Sequence, residues 1–246
     1  MAKIALRIDD IGASTKQFEQ YTRNRWLNVG ILKDRRLFGA WGPYREMTVK
    51  EWEEVYALLR EQKAKLTVAI TGCWVEDDAS LTPFPEKFPE EARILKAGME
   101  EGLLEIAGHG LTHCIVDGGR FRPRFLGSNR TFHREFWNWV PDPVHHASVT
   151  RSLEILEKYF GEKITSYVPP GNVYAAATLE ACRRNGIKVV NCHNPKLPAP
   201  APVRVVGNEQ VLSFHDREIV LEGAAWLQKK IIEYPKDTEF CFVRDL

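Results

Sequence analysis

The sequence predicts a barrel-like α/β domain built around a parallel sheet. Short apolar segments alternate with amphipathic helical segments at steps of about 30 residues, which is the spacing of strand–helix–strand units. The chain has 246 residues, a common length for one α/β barrel. Hydrophobic residues make up 44% and charged residues 27% of the chain, which is the composition of a folded globular protein and excludes a disordered one.

In the first half of the chain, capping residues and apolar spacing mark three helices. Capping-box sequences begin at Ser14 and at Thr48, and the helix after Ser14 is expected to run for about three turns. A third helix begins near Pro89 and ends at Gly102. Short aliphatic and β-branched runs predict strands at 3–9, 66–71 and 103–107, and a turn-rich stretch covers 32–44.

The second half of the chain continues this alternation without a boundary or a repeat. Asp142 and Pro143 begin a long helix that Gly161 ends. Further helices are predicted at 175–185 and 223–233, strands at 164–168, 188–192, 203–206, 211–214 and 239–243, and a proline-rich loop at 195–202. Residues 1–246 are therefore expected to form one domain, with an aromatic and arginine-rich insertion at about 115–142.

Charge, apolar runs and cysteines exclude several classes of protein. The 34 Lys and Arg against 33 Asp and Glu leave a net charge of +1, so no basic excess is available to bind nucleic acid. No apolar run approaches the roughly 20 residues of a membrane-spanning helix, and Arg7 interrupts the N-terminus before a signal-peptide core forms. A cytoplasmic protein is therefore expected. The five cysteines lack C-x-x-C spacing, which argues against a disulfide framework or a structural zinc site.

Histidines follow two of the predicted strands, at the edge of the sheet where α/β folds carry their chemistry. His109 and His113 are four residues apart, so within one helical turn both imidazoles would face one metal ion. The alternative is that His109 caps a strand and His113 hydrogen-bonds a carbonyl. His215 follows another apolar strand, from which it can act as an acid or a base.

Asp9 and Asp10 lie at the end of the first predicted strand. Two adjacent carboxylates at this position must find water, cations or a metal ion, because burying an unpaired carboxylate is costly. The alternative is that they cap a helix that begins at Gly12 or Ser14. On these residues alone both interpretations stay open.

Four short motifs, taken in chain order, resemble the polysaccharide deacetylase family, the NodB-homology domain of carbohydrate esterase family 4. They are Arg7-Ile-Asp-Asp-Ile-Gly12, His109-Gly-Leu-Thr-His113, Tyr167-Val-Pro-Pro-Gly171 and Leu212-Ser-Phe-His-Asp216. The resemblance implies a distorted (β/α) barrel of about seven parallel strands, similar to a TIM barrel. It also implies a hydrolase that removes an N-acyl group, expected to be acetyl, from an amino sugar.

The same resemblance implies a role for each matching residue. It implies that one divalent metal ion, expected to be zinc, binds to Asp10, His109 and His113. A metal held by three protein ligands keeps open positions for water and substrate. By resemblance, Asp9 is the general base, His215 is the general acid, and the main-chain N–H of Gly171 stabilises the oxyanion.

The sequence departs from the family at two places that normally adjust the catalytic groups. Where many relatives have an arginine before Pro-Pro, this chain has Val168, and Asn191-Cys-His-Asn194 stands in place of the usual Asp-x-x-Asp segment. Arg7 lies two residues before Asp9, and therefore on the same side of the strand. We expect Arg7 to supply the missing cation.

The stretch from 121 to 139 combines six aromatic residues with arginines. One interpretation is a lid or saccharide platform, in which indoles stack on sugar rings and arginines bind phosphate. The other is packing against the barrel or against a second subunit of a homo-oligomer. His133, His145 and His146 are expected to pack or to lie on the surface. The candidate substrate-binding residues are Asn172, Tyr174, Trp137 and Arg7.

These expectations together favour deacylation of an acylated amino sugar during surface-polysaccharide biosynthesis, for example of O-antigen. Without an export signal, the expected substrate is a sugar nucleotide or a lipid-linked saccharide at the cytoplasmic face of the membrane. Two alternatives stay open. One is an amidohydrolase of the same fold that acts on small non-sugar amides, and the other is a saccharide-binding protein without catalytic activity.

Overall fold

Strands and helices alternate in the computed structural model, which describes residues 2–21, 26, 29, 45–193, 201 and 203–246. The strands of these residues are β1 (Lys3–Ile11), β2 (Leu66–Ile70), β3 (Cys73–Val75), β4 (Leu81–Pro83), β5 (Leu104–Gly108), β6 (Ser166–Tyr167), β7 (Val189–Asn191), β8 (Arg204–Val206), β9 (Val211–His215) and β10 (Glu239–Cys241). Their helices are α1 (Thr15–Phe18), α2 (Val49–Glu61), α3 (Phe84–Lys87), α4 (Pro89–Glu100), α5 (Asp142–Phe160), α6 (Ala176–Arg184), α7 (Asp216–Glu222) and α8 (Ala224–Ile231).

The central sheet is parallel, and β1 is its most extensively paired strand. The order across the sheet is β10-β1-β2-β5-β6-β7-β8, and β9 also pairs with β1. Every pairing in this sheet is parallel. The chain therefore adopts the predicted distorted (β/α) barrel, while β3 and β4 form a separate antiparallel pair. Because parallel strands end at the same edge, the loops after them meet on one side of the molecule.

The longer helices bury one apolar side against this sheet. In α2, Trp52, Val55 and Leu59 have no exposed surface. The predicted capping box begins this helix, since Glu51 accepts the main-chain N–H of Thr48 at 2.8 Å and Thr48 accepts that of Glu51. Complete burial of an aliphatic side chain of this size contributes about 1.5–3 kcal/mol. Apolar burial and end capping together therefore fix α2 as the sequence predicts.

Three local features differ from the sequence prediction. The helix expected after Ser14 is only the four-residue α1, because Ser14 provides no side-chain cap and the backbone is extended again at Glu19. The segment is instead fixed by Lys16, whose buried ammonium group pairs with Asp216 at 2.8 Å and Glu46 at 3.1 Å. Neither α7 nor the β3–β4 pair was predicted, because both are short and follow a strand with almost no loop.

Some of the predicted segments lie outside the described residues. They are the turn-rich stretch at 32–44, Asn194 and the proline-rich loop at 195–202 apart from residue 201. None of the described helices is long and apolar enough to span a membrane. All five cysteines are buried free thiols, in agreement with the prediction against a disulfide framework.

Candidate active site

Asp9 and Asp10 both reach one pocket at the end of β1, although consecutive strand residues normally point to opposite faces. The pairing of β1 with β2 is irregular between Ile8 and Ile11, and Asp10 has a positive φ of 68°. Aspartate is one of the few residues that tolerate this left-handed conformation. The irregularity therefore allows both carboxylates to face the same pocket.

Asp10, His109 and His113 form a cluster of potential metal ligands whose ligand atoms all lie within 4.8 Å of one another. Nε2 of His109 is 3.2 Å and Nε2 of His113 is 3.1 Å from Oδ1 of Asp10. The contact of His113 lacks the geometry of a hydrogen bond, and both of its ring nitrogens are buried without a hydrogen-bond partner. Two imidazoles and one carboxylate, with a buried nitrogen left unsatisfied, fit a divalent metal ion.

The surroundings of these side chains favour the protonation states that metal ligands need. Nδ1 of His109 is 2.7 Å from the carbonyl oxygen of Val168 and donates to it, so Nε2 of the neutral ring keeps its lone pair. Burial lowers the pKa of His113 more than Asp10 raises it. Burial raises the pKa of Asp10, but His113 and His109 outweigh this effect and hold that pKa well below its ordinary value.

The two histidines converge through an irregular loop and not through the helical turn that the sequence analysis assumed. His113 itself has a positive φ of 58°. The carboxylate of Glu135 holds the loop by accepting the main-chain N–H groups of Leu111 at 3.0 Å and of Thr112 and His113 at 3.2 Å. Burial raises the pKa of Glu135 to about 7, although these hydrogen bonds lower it. A lone acidic residue among aromatic side chains gives no spacing signal, so the sequence analysis did not identify Glu135.

Arg7 pairs with Asp9, as expected for the missing cation. Its Nε donates to Oδ1 of Asp9 at 2.8 Å and its Nη2 to Oδ2 at 2.7 Å. Nη1 of Arg7 also donates to the side-chain oxygen of Asn191, one of the residues in place of the family's aspartate segment. Arg7 is only 1% exposed and does not line the pocket. Its guanidinium group is bound by Asp9 and Asn191, and substrate binding by Arg7 stays a prediction.

The pairing of β1 with β9 places His215 directly opposite Asp9 in register. The main-chain N–H of His215 donates to Oε2 of Glu218 at 2.8 Å, and its Nδ1 lies 3.7 Å from the same oxygen. Burial lowers the pKa of His215, but Glu218, Asp10 and Asp9 together raise it to about 9. His215 is therefore protonated near neutral pH, as a general acid must be. Glu218 lies in the unpredicted α7 and was not identified from the sequence.

Gly171 lies in a tight turn after β6 with a positive φ of 59°. A Cβ atom at this position would come within 2.5 Å of Nε of Arg134, so the turn requires glycine. Nε of Arg134 donates to the carbonyl oxygen of Gly171 at 3.3 Å. Gly171 and the predicted substrate-binding residue Asn172 both line the pocket, where the resemblance placed an oxyanion donor.

Comparison with known proteins identifies the family of the chain. A model of the polysaccharide deacetylase family matches residues 42–190, which is more than half of the chain. The chain belongs to the polysaccharide deacetylase family. The matched residues of this deacetylase include His109, His113 and Gly171, whereas Asp9 and His215 lie outside them. Among curated proteins, none matches the sequence.

Solved structures share the fold of this deacetylase at low sequence identity. A protein from Mycobacterium smegmatis assigned as a polysaccharide deacetylase is 12% identical, with a TM-score of 0.56 over 99% of this chain and 88% of that chain. The Xyl-CE4 domain of a multidomain xylanase from the hindgut metagenome of Trinervitermes trinervoides is 11% identical, with a TM-score of 0.52 over 99% and 88%. A 4-alpha-glucanotransferase from Thermococcus litoralis is also 11% identical, with a TM-score of 0.52 over 100% of this chain and 39% of that chain.

The pocket of the deacetylase is also lined by Glu19, Arg217, Arg130, Arg134 and His133. Arg130 and Arg134 belong to the arginine-rich stretch 121–139, for which phosphate binding is one interpretation of the sequence, whereas Glu19 and Arg217 were not identified from the sequence. Burial, followed by repulsion from Asp10, raises the pKa of Glu19 to about 7. Burial lowers the pKa of His133 to about 3, so this histidine stays neutral. His133 was expected to pack or to lie on the surface. It is buried, and it also lines the pocket.

Two residues predicted to bind the substrate lie elsewhere. Nε1 of Trp137 donates to the carbonyl oxygen of Thr131 at 2.6 Å, and Tyr174 packs against the main apolar core. Neither residue lines the pocket of Asp9, Asp10 and His215. Substrate binding by Trp137 and Tyr174 stays a prediction. His145 is buried against Thr178 at 2.8 Å, as expected for a packing residue.

Proposed function

We propose that this deacetylase is a metal-dependent hydrolase that removes an N-acyl group, expected to be acetyl, from an amino sugar. The observation that carries the proposal is the cluster of Asp10, His109 and His113 in one pocket with Asp9 and His215. Three potential ligands beside a carboxylate and a protonated imidazole are the parts that metal-assisted amide hydrolysis requires.

Asp10, His109 and His113 would hold the metal ion, for which zinc is expected. When bound, a divalent ion polarises the acyl carbonyl and lowers the pKa of a water molecule. The irregular β1 end and the loop fixed by Glu135 set the positions of these ligands before any ion binds. Such preorganisation lowers the cost of assembling the site.

The remaining residues move protons and stabilise charge. Asp9, oriented by both nitrogen contacts of Arg7, takes the proton of the attacking water. The main-chain N–H of Gly171 donates to the carbonyl oxygen as negative charge develops on it. The C–N bond then breaks, and protonated His215 gives its proton to the leaving amine.

Metal content of the purified protein tests this proposal. The protein is purified without a metal-affinity step and analysed by elemental mass spectrometry, before and after zinc titration of the chelated form. We expect about one zinc per chain and hydrolysis of N-acetylglucosamine derivatives, with both lost in His113→Ala. His146→Ala, which removes a histidine outside the pocket, is the matched control and should keep both. Wild-type protein that binds no zinc would contradict the metal site.

Three finer features of the function rest on the sequence and belong to the same proposal. They are a role in surface-polysaccharide biosynthesis such as that of O-antigen, a cytoplasmic location, and a sugar nucleotide or lipid-linked saccharide as substrate. Hydrolysis of one of these substrates, with release of the free acid and the free amine, would support them.

A further inference from the structure

Three arginines line the pocket beside the proposed catalytic residues. Arg130 and Arg134 come from the segment between β5 and α5, and Arg217 comes from the first turn of α7. Like charges repel, so arginines from two separate parts of the chain are not expected to meet at one pocket unless something offsets their charge. The carboxylate of Glu19 lines the same pocket, and the three arginines differ in how closely an acidic side chain offsets their charge.

Arg134 is the least compensated of the three. Its side chain is half-buried across the Gly171 turn, where Nε donates to the carbonyl oxygen of Gly171 at 3.3 Å. Within the described part of the chain, its terminal nitrogens Nη1 and Nη2 have no hydrogen bond or ion pair. Burial and then repulsion from Arg130 lower the pKa of Arg134, although Glu19, Tyr21 and Asp10 raise it. The positive charge of Arg134 is therefore offset only in part, and a bound anion would offset it further.

The other two arginines are held at the pocket by contacts with neighbouring side chains. The guanidinium group of Arg130 lies 4.3 Å from the ring centre of Tyr21, and its Nε is 3.9 Å from Glu19. That separation is too long for a close hydrogen-bonded ion pair. Arg217 hydrogen-bonds Glu218, the residue that also contacts His215. These contacts fix the directions of the two side chains and leave donor groups of Arg130 for a ligand.

We propose that Arg134, assisted by Arg130 and Arg217, binds a phosphoryl group of the substrate, so that the acylated amino sugar is a phosphate ester. The inference rests on the proposed deacylase function and narrows its substrate class. A guanidinium group matches phosphate oxygens with two parallel hydrogen bonds, and a phosphate carries enough charge to interact with more than one arginine. Because Arg134 lies against Gly171, the phosphate would lie close to the acyl group, on the same sugar or on the linkage next to it.

Substrate preference tests this inference. The ratio of kcat/KM for N-acetylglucosamine 1-phosphate to that for N-acetylglucosamine is measured for the wild-type protein and for Arg134→Gln. We expect the wild type to prefer the phosphate ester by at least about tenfold, and the variant to lose about that factor, the equivalent of one charge-assisted contact. Arg134→Lys should recover part of the preference. Arg151→Gln, which removes an exposed arginine of α5 outside the pocket, is the control and should keep it fully.

Further substrates identify the chemical group that carries the negative charge bound by Arg134. UDP-N-acetylglucosamine and a polyprenyl diphosphate N-acetylglucosamine separate a nucleotide-linked from a lipid-linked phosphate, and preference for either supports the inference. N-acetylglucosaminuronic acid carries a carboxylate in place of phosphate, and its preference over all phosphate esters would overturn the inference. Equal losses on charged and neutral substrates in Arg134→Gln would also overturn it, since they would mean that Arg134 only supports the Gly171 turn.

A binding measurement separates this inference from the proposed function. Inorganic phosphate is titrated calorimetrically into the protein in the presence of a chelator, so that a bound metal ion cannot contribute. We expect phosphate to bind wild-type protein at least about tenfold more tightly than Arg134→Gln, even if no acylated sugar is hydrolysed. Hydrolysis without any phosphate preference or phosphate binding would leave the proposed function intact and would reject the anion site.

Discussion

One wall of the pocket is built from strand ends, and the opposite wall from the irregular segment 109–141 between β5 and α5. On the first wall, main-chain pairing of β1 with β9 sets Asp9 beside His215. On the second wall, side-chain hydrogen bonds set the positions of the pocket residues. Asn129, which is fully buried, accepts the main-chain N–H of Gln20 at 2.6 Å and donates to the carbonyl oxygens of Phe18 at 2.8 Å and Phe121 at 2.6 Å.

The two walls therefore differ in how strongly their geometry depends on individual side chains. A strand register is maintained by many main-chain hydrogen bonds, so one substitution on the strand-end wall should remove a chemical group and leave its neighbours in place. The segment wall relies on single buried side chains such as Glu135. Loss of one of them should displace several pocket residues together.

Asp9→Asn is expected to have the largest effect on activity. Asparagine keeps the shape of the side chain on the strand-end wall but cannot accept a proton from water, so kcat should fall by about 10²–10⁴-fold. Metal content should stay close to that of the wild type, whereas the unfolding midpoint should fall, because the buried guanidinium group of Arg7 loses its counter-ion. Steady-state kinetics and elemental analysis measure these quantities, with Asp237→Asn at an exposed position as the control. An active Asp9→Asn protein would exclude Asp9 as the general base.

Arg7→Ala tests the one strand-end contact that depends on a buried side chain. It leaves the Asp9 carboxylate, which is 5% exposed, without its cation. Breaking a buried ion pair in this way costs about 3–5 kcal/mol in the free energy of unfolding, with a matching loss of turnover. Urea denaturation followed by circular dichroism measures the change. A loss below about 1 kcal/mol, the range of surface ion pairs, with unchanged turnover would show that Arg7 does not orient Asp9.

Glu135→Gln is expected to loosen the segment wall. Oε2 of Glu135 accepts all three N–H groups of the loop that ends at His113, and the main-chain nitrogen of Leu111 also lies 3.3 Å from Oε1. Glutamine would replace this charged group by one neutral oxygen and a donor amide, so it should hold the loop less tightly. We expect the zinc affinity to fall about 10–100-fold, as for other groups that orient metal ligands. Calorimetric zinc titration measures this loss, and Glu154→Gln on the exposed side of α5 serves as the control. Unchanged zinc affinity would mean that the loop keeps its shape without Glu135.

The difference between the two walls also explains which residues of the site could be predicted from the sequence. Asp9, Asp10 and His215 were identified because a strand end fixes where a side chain lies, and strand ends can be recognised from apolar runs. The capping box at Thr48 was also predicted correctly, because its two hydrogen bonds join residues three positions apart. The residues that form such local contacts are close together in the sequence, so these contacts can be predicted from the sequence alone.

Contacts between distant residues could not be predicted in this way. Glu135 contacts a loop more than twenty residues earlier in the chain, and Arg134 reaches Gly171 across the pocket. Trp137 was chosen for its residue type, but its indole hydrogen-bonds within its own segment. His109 and His113 were predicted to converge within one helical turn. They do converge, but through an irregular loop, because the positive φ of His113 is incompatible with a right-handed helix.

Glu218→Gln is expected to have the smallest effect and tests how α7 adjusts the strand-end wall. In the proposed mechanism His215 acts as an acid, so activity should be present below its pKa and should be lost as the pH rises through about 9. Removing the charge of Glu218 takes away the largest effect that raises this pKa, so the alkaline limb of the kcat–pH profile should move to lower pH by about one unit. Glu222→Gln at the exposed end of α7 should leave the limb unchanged. If Glu218→Gln lowers kcat equally at every pH, Glu218 holds the position of His215 through its main-chain contact and does not adjust its protonation.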